Sequence, residues 1–175
     1  MNNNNERVLG DIETHVHKIT DELAEYTIST DDLAMLDHLC YRVETEERYE
    51  EMKRMLGEIA VLRAESPVQG RLISIFELHD YIDVPGRTPQ SKSWKIPYIE
   101  LPAPKDGSPY NEGLEHAEFV VVGSLERFRD KYSDVPFDTK AMDRPLNPEL
   151  GLKTAHAAMK FHKLQIGAVV DIETR

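Results

Sequence analysis

The first part of the chain carries the apolar pattern of an amphipathic helix. From residue 6 to about residue 28, apolar side chains recur at intervals of three and four positions, with charged residues between them. Such a stripe is too continuous to face water, so we expect Val16, Ile19 and Leu23 to be buried. An acidic pair at the start of residues 31–35 predicts a capped helical turn there.

Beyond this turn the pattern changes to the alternation that is typical of strands. A first strand is predicted at residues 38–43, with Leu39 on one face and His38, Cys40 and Arg42 on the other. The other elements have similar alternation or a helical stripe: a helix after Thr45, strands at 59–64, 71–79 and 95–101, a strand at 116–122, a helix at 124–132, a strand at 157–163 and a helix at 165–172.

An acid-histidine pair opens two matched units of this pattern. Asp37-His38 begins a strand that leads into a helix, and Glu115-His116 begins another such strand near the middle of the chain. The repeat predicts an α+β fold of two paired βαβββ-type modules in one mixed sheet. We assign residues 1–35 to an N-terminal helical segment, 36–104 to the first module and 114–175 to the second, all in one compact domain.

Composition limits the classes of partner. The formal net charge of the 175 residues is −11, which disfavours binding to nucleic acid and to membrane surfaces. The apolar runs are too short to span a membrane. Cys40 is the only cysteine, so an intrachain disulfide is excluded and a cytoplasmic location is expected. A small-molecule substrate is the expected partner, and a homodimer is left open.

The polar faces of the strands carry many imidazoles and carboxylates. Nine residues share this placement: His38, Arg42, Glu77, His79, Glu100, His116, Glu118, Lys160 and His162. If they converge, they form the mixed nitrogen and oxygen set that a divalent metal needs, and Zn, Fe, Mn and Ni all accept such a set. Taken singly, each is more typical of a solvated or structural side chain, and Cys40 is typical of a small half-buried one.

Five short segments also resemble the signature stretches of the YecM-like family, in the same order along the chain. They begin at Asp37, Phe76, Ile99, Glu115 and Lys160 and read DHLCYR, FELH, IELPAP, EHAE and KFH. That family is similar in fold to the vicinal-oxygen-chelate superfamily, which includes glyoxalase I and extradiol dioxygenases. The resemblance implies a curved sheet around a central cleft that holds a divalent metal.

The resemblance also implies which residues bind the metal. His38, Glu100 and His116 match ligand positions of the superfamily, whereas Lys160 falls where glyoxalase I has a fourth ligand, a glutamate. Either His162, two residues further on, supplies that ligand, or Lys160 leaves a three-ligand site and orients an anionic substrate. The lysine argues against glyoxalase I activity as such.

The preferred hypothesis is a metal-dependent enzyme that chelates two neighbouring oxygens of a small substrate, with isomerase, lyase or oxygenase chemistry. Glu118 or Glu77 would act as base, and Arg42 or Lys160 would bind negative charge. The alternatives are a non-catalytic small-molecule-binding protein on the same scaffold and a partner-binding module that uses the first helix.

Overall fold

Alternating strands of both halves of the chain build one open mixed sheet. The computed structural model describes residues 3–105, 107 and 111–174. The strands in this part are β1 (Leu33–Arg42), β2 (Ala60–Val68), β3 (Arg71–Val84), β4 (Trp94–Pro102), β5 (Gly113–Val121), β6 (Glu149–Lys153) and β7 (Ala158–His162). The helices are α1 (Asn3–Leu9), α2 (Ile12–Glu25), α3 (Glu46–Leu56), α4 (Leu125–Lys131) and α5 (Ile166–Glu173).

The order of the strands repeats outward from the centre of the sheet. The full order is β2-β3-β4-β1-β5-β7-β6, with β1 and β5 antiparallel at the middle. Each central strand has a parallel neighbour, β4 or β7, and then an antiparallel one, β3 or β6. We call residues 33–102 the first half of the sheet and residues 113–162 the second half. The matched order is what a duplicated strand-and-helix unit predicts.

The second half is one strand shorter than the predicted βαβββ unit. No counterpart of β2 occurs among its described residues, and the chain between α4 and β6 joins the sheet through an isolated bridge of Asp138 with Gly151. This segment contains Pro136, Pro145 and Pro148. Proline has no backbone N–H to donate to a strand ladder, which explains why the segment forms turns instead.

The N-terminal segment forms two helices and not the single one predicted. Gly10 separates α1 from α2 with a φ of 80°, and the carboxylate of Asp11 then caps α2 by accepting a hydrogen bond of 3.0 Å from Thr14 N. The buried stripe is as predicted, because Val16, Ile19 and Leu23 are at most 1% exposed. They pack toward the sheet, where α2 contacts β3 and β5.

The predicted helical turn at residues 31–35 is replaced by the start of a strand. A short 3-10 turn at Thr30–Asp32 is followed directly by β1, where Leu33 pairs with Val121 of β5. Leu33 and Leu36 are fully buried. β1 therefore begins at Leu33, five residues before the start at His38 that alternation alone indicates, because strand pairing and burial extend it.

The two faces of the sheet have different coverings. Helices α1 to α4 cover the face that carries the main apolar core, which includes Phe76 and Ile99. Ile75 and Tyr98, next to these in sequence, face the other way and contact Val170 of α5. We call this second side the site face. Within the described part of the chain, none of the helices combines the length and the apolar character that a membrane span requires.

Candidate metal centre

The site face of the four central strands carries a buried cluster of ionisable side chains. The cluster contains His38 of β1, Glu100 of β4, His116 and Glu118 of β5, and His162 of β7. Exposure of these side chains ranges from 1% for His38 to 13% for Glu100. The structure thus brings together the four proposed ligands and one of the proposed catalytic residues, because each has the strand parity opposite to that of the core.

A β-bulge explains the acid-histidine pair in each half. Leu36 pairs with Phe119 and His38 with Glu118, so Asp37 is an extra residue in β1. In β5, Glu115 is the extra residue in the same way. Each bulge lets the acid reach the Nδ1 atom of the histidine that follows it, at 3.1 Å for Asp37 and 2.8 Å for Glu115.

Both bulges direct the Nε2 atom of the histidine into the cluster. His38 Nε2 lies 3.5 Å from Glu118 Oε1, and His116 Nε2 lies 3.4 Å from the same oxygen. His116 Nε2 is also 3.8 Å from Glu100 Oε1. Neither Nε2 atom makes a hydrogen bond, although both are buried. Buried polar atoms without partners are uncommon and costly, and here they point at carboxylate oxygens.

His162 lies against the other oxygen of Glu118. Its Nε2 atom is 3.4 Å from Glu118 Oε2 and 3.6 Å from Asp37 Oδ2, and its ring stacks at 6.3 Å from that of His38. Neither ring nitrogen of His162 makes a hydrogen bond. The close contacts of His162 are therefore with Asp37, His38 and Glu118, and its Nε2 atom approaches Glu118 Oε2, whereas His38 and His116 approach Oε1.

Two cations bind carboxylates in the cluster or directly behind it. Lys160 Nζ donates to Glu118 Oε1 at 2.5 Å, and this lysine is the more exposed of the two groups. Arg42 Nε donates to Glu115 Oε2 at 2.6 Å. Glu115 in turn binds His116 Nδ1, so Arg42 helps to orient the His116 imidazole through Glu115.

Cys40 is closer to the cluster than the sequence indicated. Its side chain is fully buried and not half-buried. Ligand atoms of Cys40, Glu100 and His116 lie within 4.8 Å of one another, as do those of His38, Glu100 and Glu118. Cys40, Asp37 and Glu115 are neighbours of the site that the sequence pattern does not single out as site residues. The signals that could have identified them are the position of Cys40 two residues after His38 and the acid-histidine pair itself.

Electrostatic coupling keeps the cluster charged. Burial opposes the charged form of Glu118, but Lys160 and His38 outweigh it and hold the pKa of this carboxyl well below its ordinary value. Burial likewise opposes protonation of His38, yet Glu118 and Asp37 raise its pKa to about 10. The pKa of His116 is also raised well above its ordinary value, against the effect of burial, by the sulfur of Cys40 and the carboxylates beside it. In the metal-free cluster, His38 and His116 therefore favour the imidazolium form beside the carboxylate of Glu118.

Glu77, the alternative candidate base, lies in a different environment. It forms an ion pair with Arg63, which also contacts Asp171 of α5 at 2.7 Å. The side chain of Glu77 is 38% exposed, whereas that of Glu118 is 7% exposed. His79, further along the same strand, is exposed as well. Among the ion pairs of the described residues, none joins Glu77 to an imidazole of the cluster.

The fold and this site define an α+β protein with an open mixed sheet and a buried cluster of histidines and carboxylates. The chain belongs to the YecM protein family, whose model matches residues 4–144. This confirms the family resemblance drawn from the sequence motifs. The matched range includes His38, Glu100, His116 and Glu118, whereas Lys160 and His162 lie beyond it.

Similar proteins agree with this assignment. Protein YecM of Escherichia coli strain K12 is 26% identical over 152 residues, which cover 78% of this chain and 77% of that protein. A structural-genomics structure of protein EC4020 superposes with a TM-score of 0.75 at 24% identity, covering 98% of this chain and 93% of that one. Hypothetical protein BH1468 from Bacillus halodurans C-125 gives 0.50 at 16% identity, covering 74% and 93%. These two structures support the fold.

Proposed function

We propose that the protein is a metal-dependent enzyme, whose His38, Glu100 and His116, together with Glu118, hold one divalent ion that chelates two neighbouring oxygens of a small substrate. The observation that carries this proposal is the spacing of the donor atoms. Two ligands at about 2.1 Å from one ion and at a tetrahedral angle are about 3.4 Å apart. Glu118 Oε1 lies 3.4 Å from His116 Nε2 and 3.5 Å from His38 Nε2, and His116 Nε2 lies 3.8 Å from Glu100 Oε1. Donor atoms of His38, Glu100 and Glu118 also lie within 4.8 Å of one another.

The hydrogen bonds behind the two histidines support the same assignment. Asp37 and Glu115 each bind the Nδ1 atom of a histidine, which leaves Nε2 as the donor to a metal. A carboxylate behind a metal-binding histidine is the usual arrangement, because it fixes the ring and makes the imidazole more basic. In this proposal Arg42 is a positioning residue, since it donates to Glu115, which binds His116 Nδ1.

The remaining residues of the cluster would bind substrate and move protons. A bound ion would act as a Lewis acid toward an enolate or alkoxide that develops on the substrate. Lys160 is the partly exposed cation next to Glu118, and it is placed to pair with a negative oxygen of a substrate. Glu118 is assigned as a ligand in preference to a base, because a carboxyl with a strongly lowered pKa is a weak proton acceptor. His162, the remaining imidazole of the cluster, contacts Glu118 and would serve as the proton acceptor.

Elemental analysis tests the metal directly. The protein is purified without a histidine tag or chelator and then reconstituted separately with Zn, Fe, Mn and Ni salts. We expect one tightly bound ion per chain, and we expect His116→Ala to lose it. His79→Ala is the matched control, because His79 is exposed on β3 and should leave the metal content unchanged. Full metal content in His116→Ala, or no binding of any of these ions by the wild type, would overturn the proposal.

A second measurement tests the chelation of oxygens. Catechol and an α-hydroxyketone are added to the Co(II)-loaded protein while the visible d–d bands are recorded. Direct binding of neighbouring oxygens to the ion should shift these bands, and phenol, which offers a single oxygen, should shift them less. Equal shifts with all three compounds, or none, would contradict chelation.

A further inference from the structure

Cys40 and Glu118 occupy equivalent positions in the two halves of the sheet. The first half reads His38-Leu39-Cys40 and the second reads His116-Ala117-Glu118. Across the central junction His38 pairs with Glu118, and Cys40 pairs with His116. Each histidine therefore lies opposite the residue that follows the other histidine by two positions, Glu118 for His38 and Cys40 for His116. Cys40 thus points to the site face from the position that matches Glu118.

The parallel neighbours complete the comparison. Glu118 lies beside Lys160 of β7, and Cys40 lies beside Glu100 of β4. In the second half, the Lys160 ammonium is a built-in cation that lies 2.5 Å from Glu118. The equivalent place in the first half is taken by the Glu100 carboxylate, so Cys40, Glu100 and His116 form a set of three metal donors.

An independent feature of the same set points to a ligand. His116 Nε2 makes no hydrogen bond although its side chain is only 4% exposed, and it is directed into this set. The ligand atoms of the three residues lie within 4.8 Å of one another. Sulfur at about 2.3 Å, nitrogen at about 2.1 Å and oxygen at about 2.1 Å from one zinc ion fit within that separation.

We infer that Cys40 binds the ion as a thiolate, beside Glu100 and His116, so that the metal lies toward the first half of the sheet, opposite the Lys160 ammonium. This inference rests on the proposed function and names a ligand and a class of metal. On binding, the S–H bond breaks, sulfur bonds to the ion and one proton leaves to solvent; no electrons are transferred. A thiolate donor favours zinc, cobaltous or ferrous ion over magnesium and manganese.

Titration of the metal-free full-length protein with Co(II) tests this ligand. Thiolate bound to Co(II) gives an intense charge-transfer band in the near ultraviolet, separate from the d–d bands of the ion. Because Cys40 is the only cysteine, the band can arise from no other side chain. We expect the band to grow to one Co(II) per chain. In Cys40→Ser the charge-transfer band should vanish. Co(II) affinity should fall by more than about tenfold, because losing only a hydrogen-bond partner behind a ligand already lowers metal affinity by about tenfold or more.

Glu77→Gln provides the matched control. Glu77 is on the same face of the sheet but pairs with Arg63, so this variant should keep the band and the wild-type affinity. If Cys40→Ser does not fold, the wild-type spectrum still decides the question. Co(II) bound with d–d bands and no charge-transfer band would overturn the thiolate ligand and leave the proposed function intact. Absence of any Co(II) binding would overturn both.

Discussion

The imidazole of His38 and the carboxylate of Glu118 lie opposite each other on the two central strands, with Nε2 and Oε1 3.5 Å apart. Both side chains are buried, and Glu118 also contacts His116, His162 and Lys160. One carboxylate thus neutralises positive charge from several neighbours. Its loss would leave those charges buried without a partner, which is among the most destabilising changes in a protein interior.

For this reason we expect Glu118→Gln to lower the free energy of unfolding of the metal-free protein by about 3 kcal/mol at neutral pH. Urea denaturation followed by far-ultraviolet circular dichroism measures this change. Glu77→Gln is the control, because the Glu77 pair with Arg63 is partly exposed and is worth below about 1 kcal/mol. Similar losses in the two variants would contradict the central role assigned to Glu118.

The raised pKa of His38 predicts how stability depends on pH. Burial opposes protonation of this ring, but Glu118 and Asp37 raise its pKa in the folded protein from the ordinary 6.5 to about 10. Folding therefore favours the protonated ring, and the stabilisation is complete below the unfolded-state pKa. The free energy of unfolding of the metal-free protein should fall as pH rises from about 6.5 toward about 10.

Denaturation midpoints in urea at a series of pH values test this slope. His38→Gln removes the titrating group, so its stability should depend less on pH over the same range. His116 contributes with the same sign, because its pKa is also raised, and some slope should remain in the variant. A wild-type stability that stays level or rises between neutral and alkaline pH would show that the imidazoles are neutral in the folded state.

The two bulge carboxylates should matter for metal binding, because each holds the Nδ1 atom of a histidine. In Asp37→Asn, the amide can still accept the hydrogen bond from Ile166 N, but it no longer offers a carboxylate to His38 Nδ1. We expect metal affinity to fall by about 10- to 100-fold, the usual cost of losing an outer-shell carboxylate. Competition with a chromogenic chelator measures the affinity.

Glu115→Gln makes the equivalent change at His116 and should have a similar effect, because the two bulges are structurally matched. Glu112→Gln is a suitable comparison, since Glu112 contacts Arg48 and Tyr41 away from the imidazoles. Equal metal affinities in all three variants and the wild type would exclude a role for the bulges in orienting ligands.

Close packing between α5 and the site face predicts a sensitive glycine. A Cβ atom at Gly167 would lie 2.2 Å from the hydroxyl oxygen of Tyr98, so Gly167→Ala should displace the helix or the ring and cost about 1–3 kcal/mol. Gly151→Ala is the control, because a Cβ atom there would be 3.5 Å from Asp138 Cβ, an ordinary contact. Thermal denaturation compares the two variants, and a Gly151→Ala protein as unstable as Gly167→Ala would refute this explanation.

The second half of the chain shows where prediction from the sequence failed. Strand β6 has only five residues, and alternation along the sequence does not predict it, although Leu150 and Leu152 are buried. A run this short carries little periodicity, and its pairing with β7 depends on residues that follow it in the chain. The break at Gly10 is not predicted for another reason. The apolar stripe continues across it, so periodicity predicts one helix where a positive φ separates two.

The sequence by itself determined which residues share the site face. Alternation along a strand is a local property, so His38, Cys40 and Arg42 could be placed together, as could His116 with Glu118. The acid-histidine pair likewise indicated a duplicated unit. These predictions needed no knowledge of which strands are neighbours.

Only the tertiary structure decided how those faces meet. The two bulges depend on the register between β1 and β5, and they turn Asp37 and Glu115 to the same side as the histidines. The same register places Glu118 among three imidazoles, those of His38, His116 and His162. Register is set by pairing between residues far apart in the chain, and a shift of one residue would move a side chain to the opposite face.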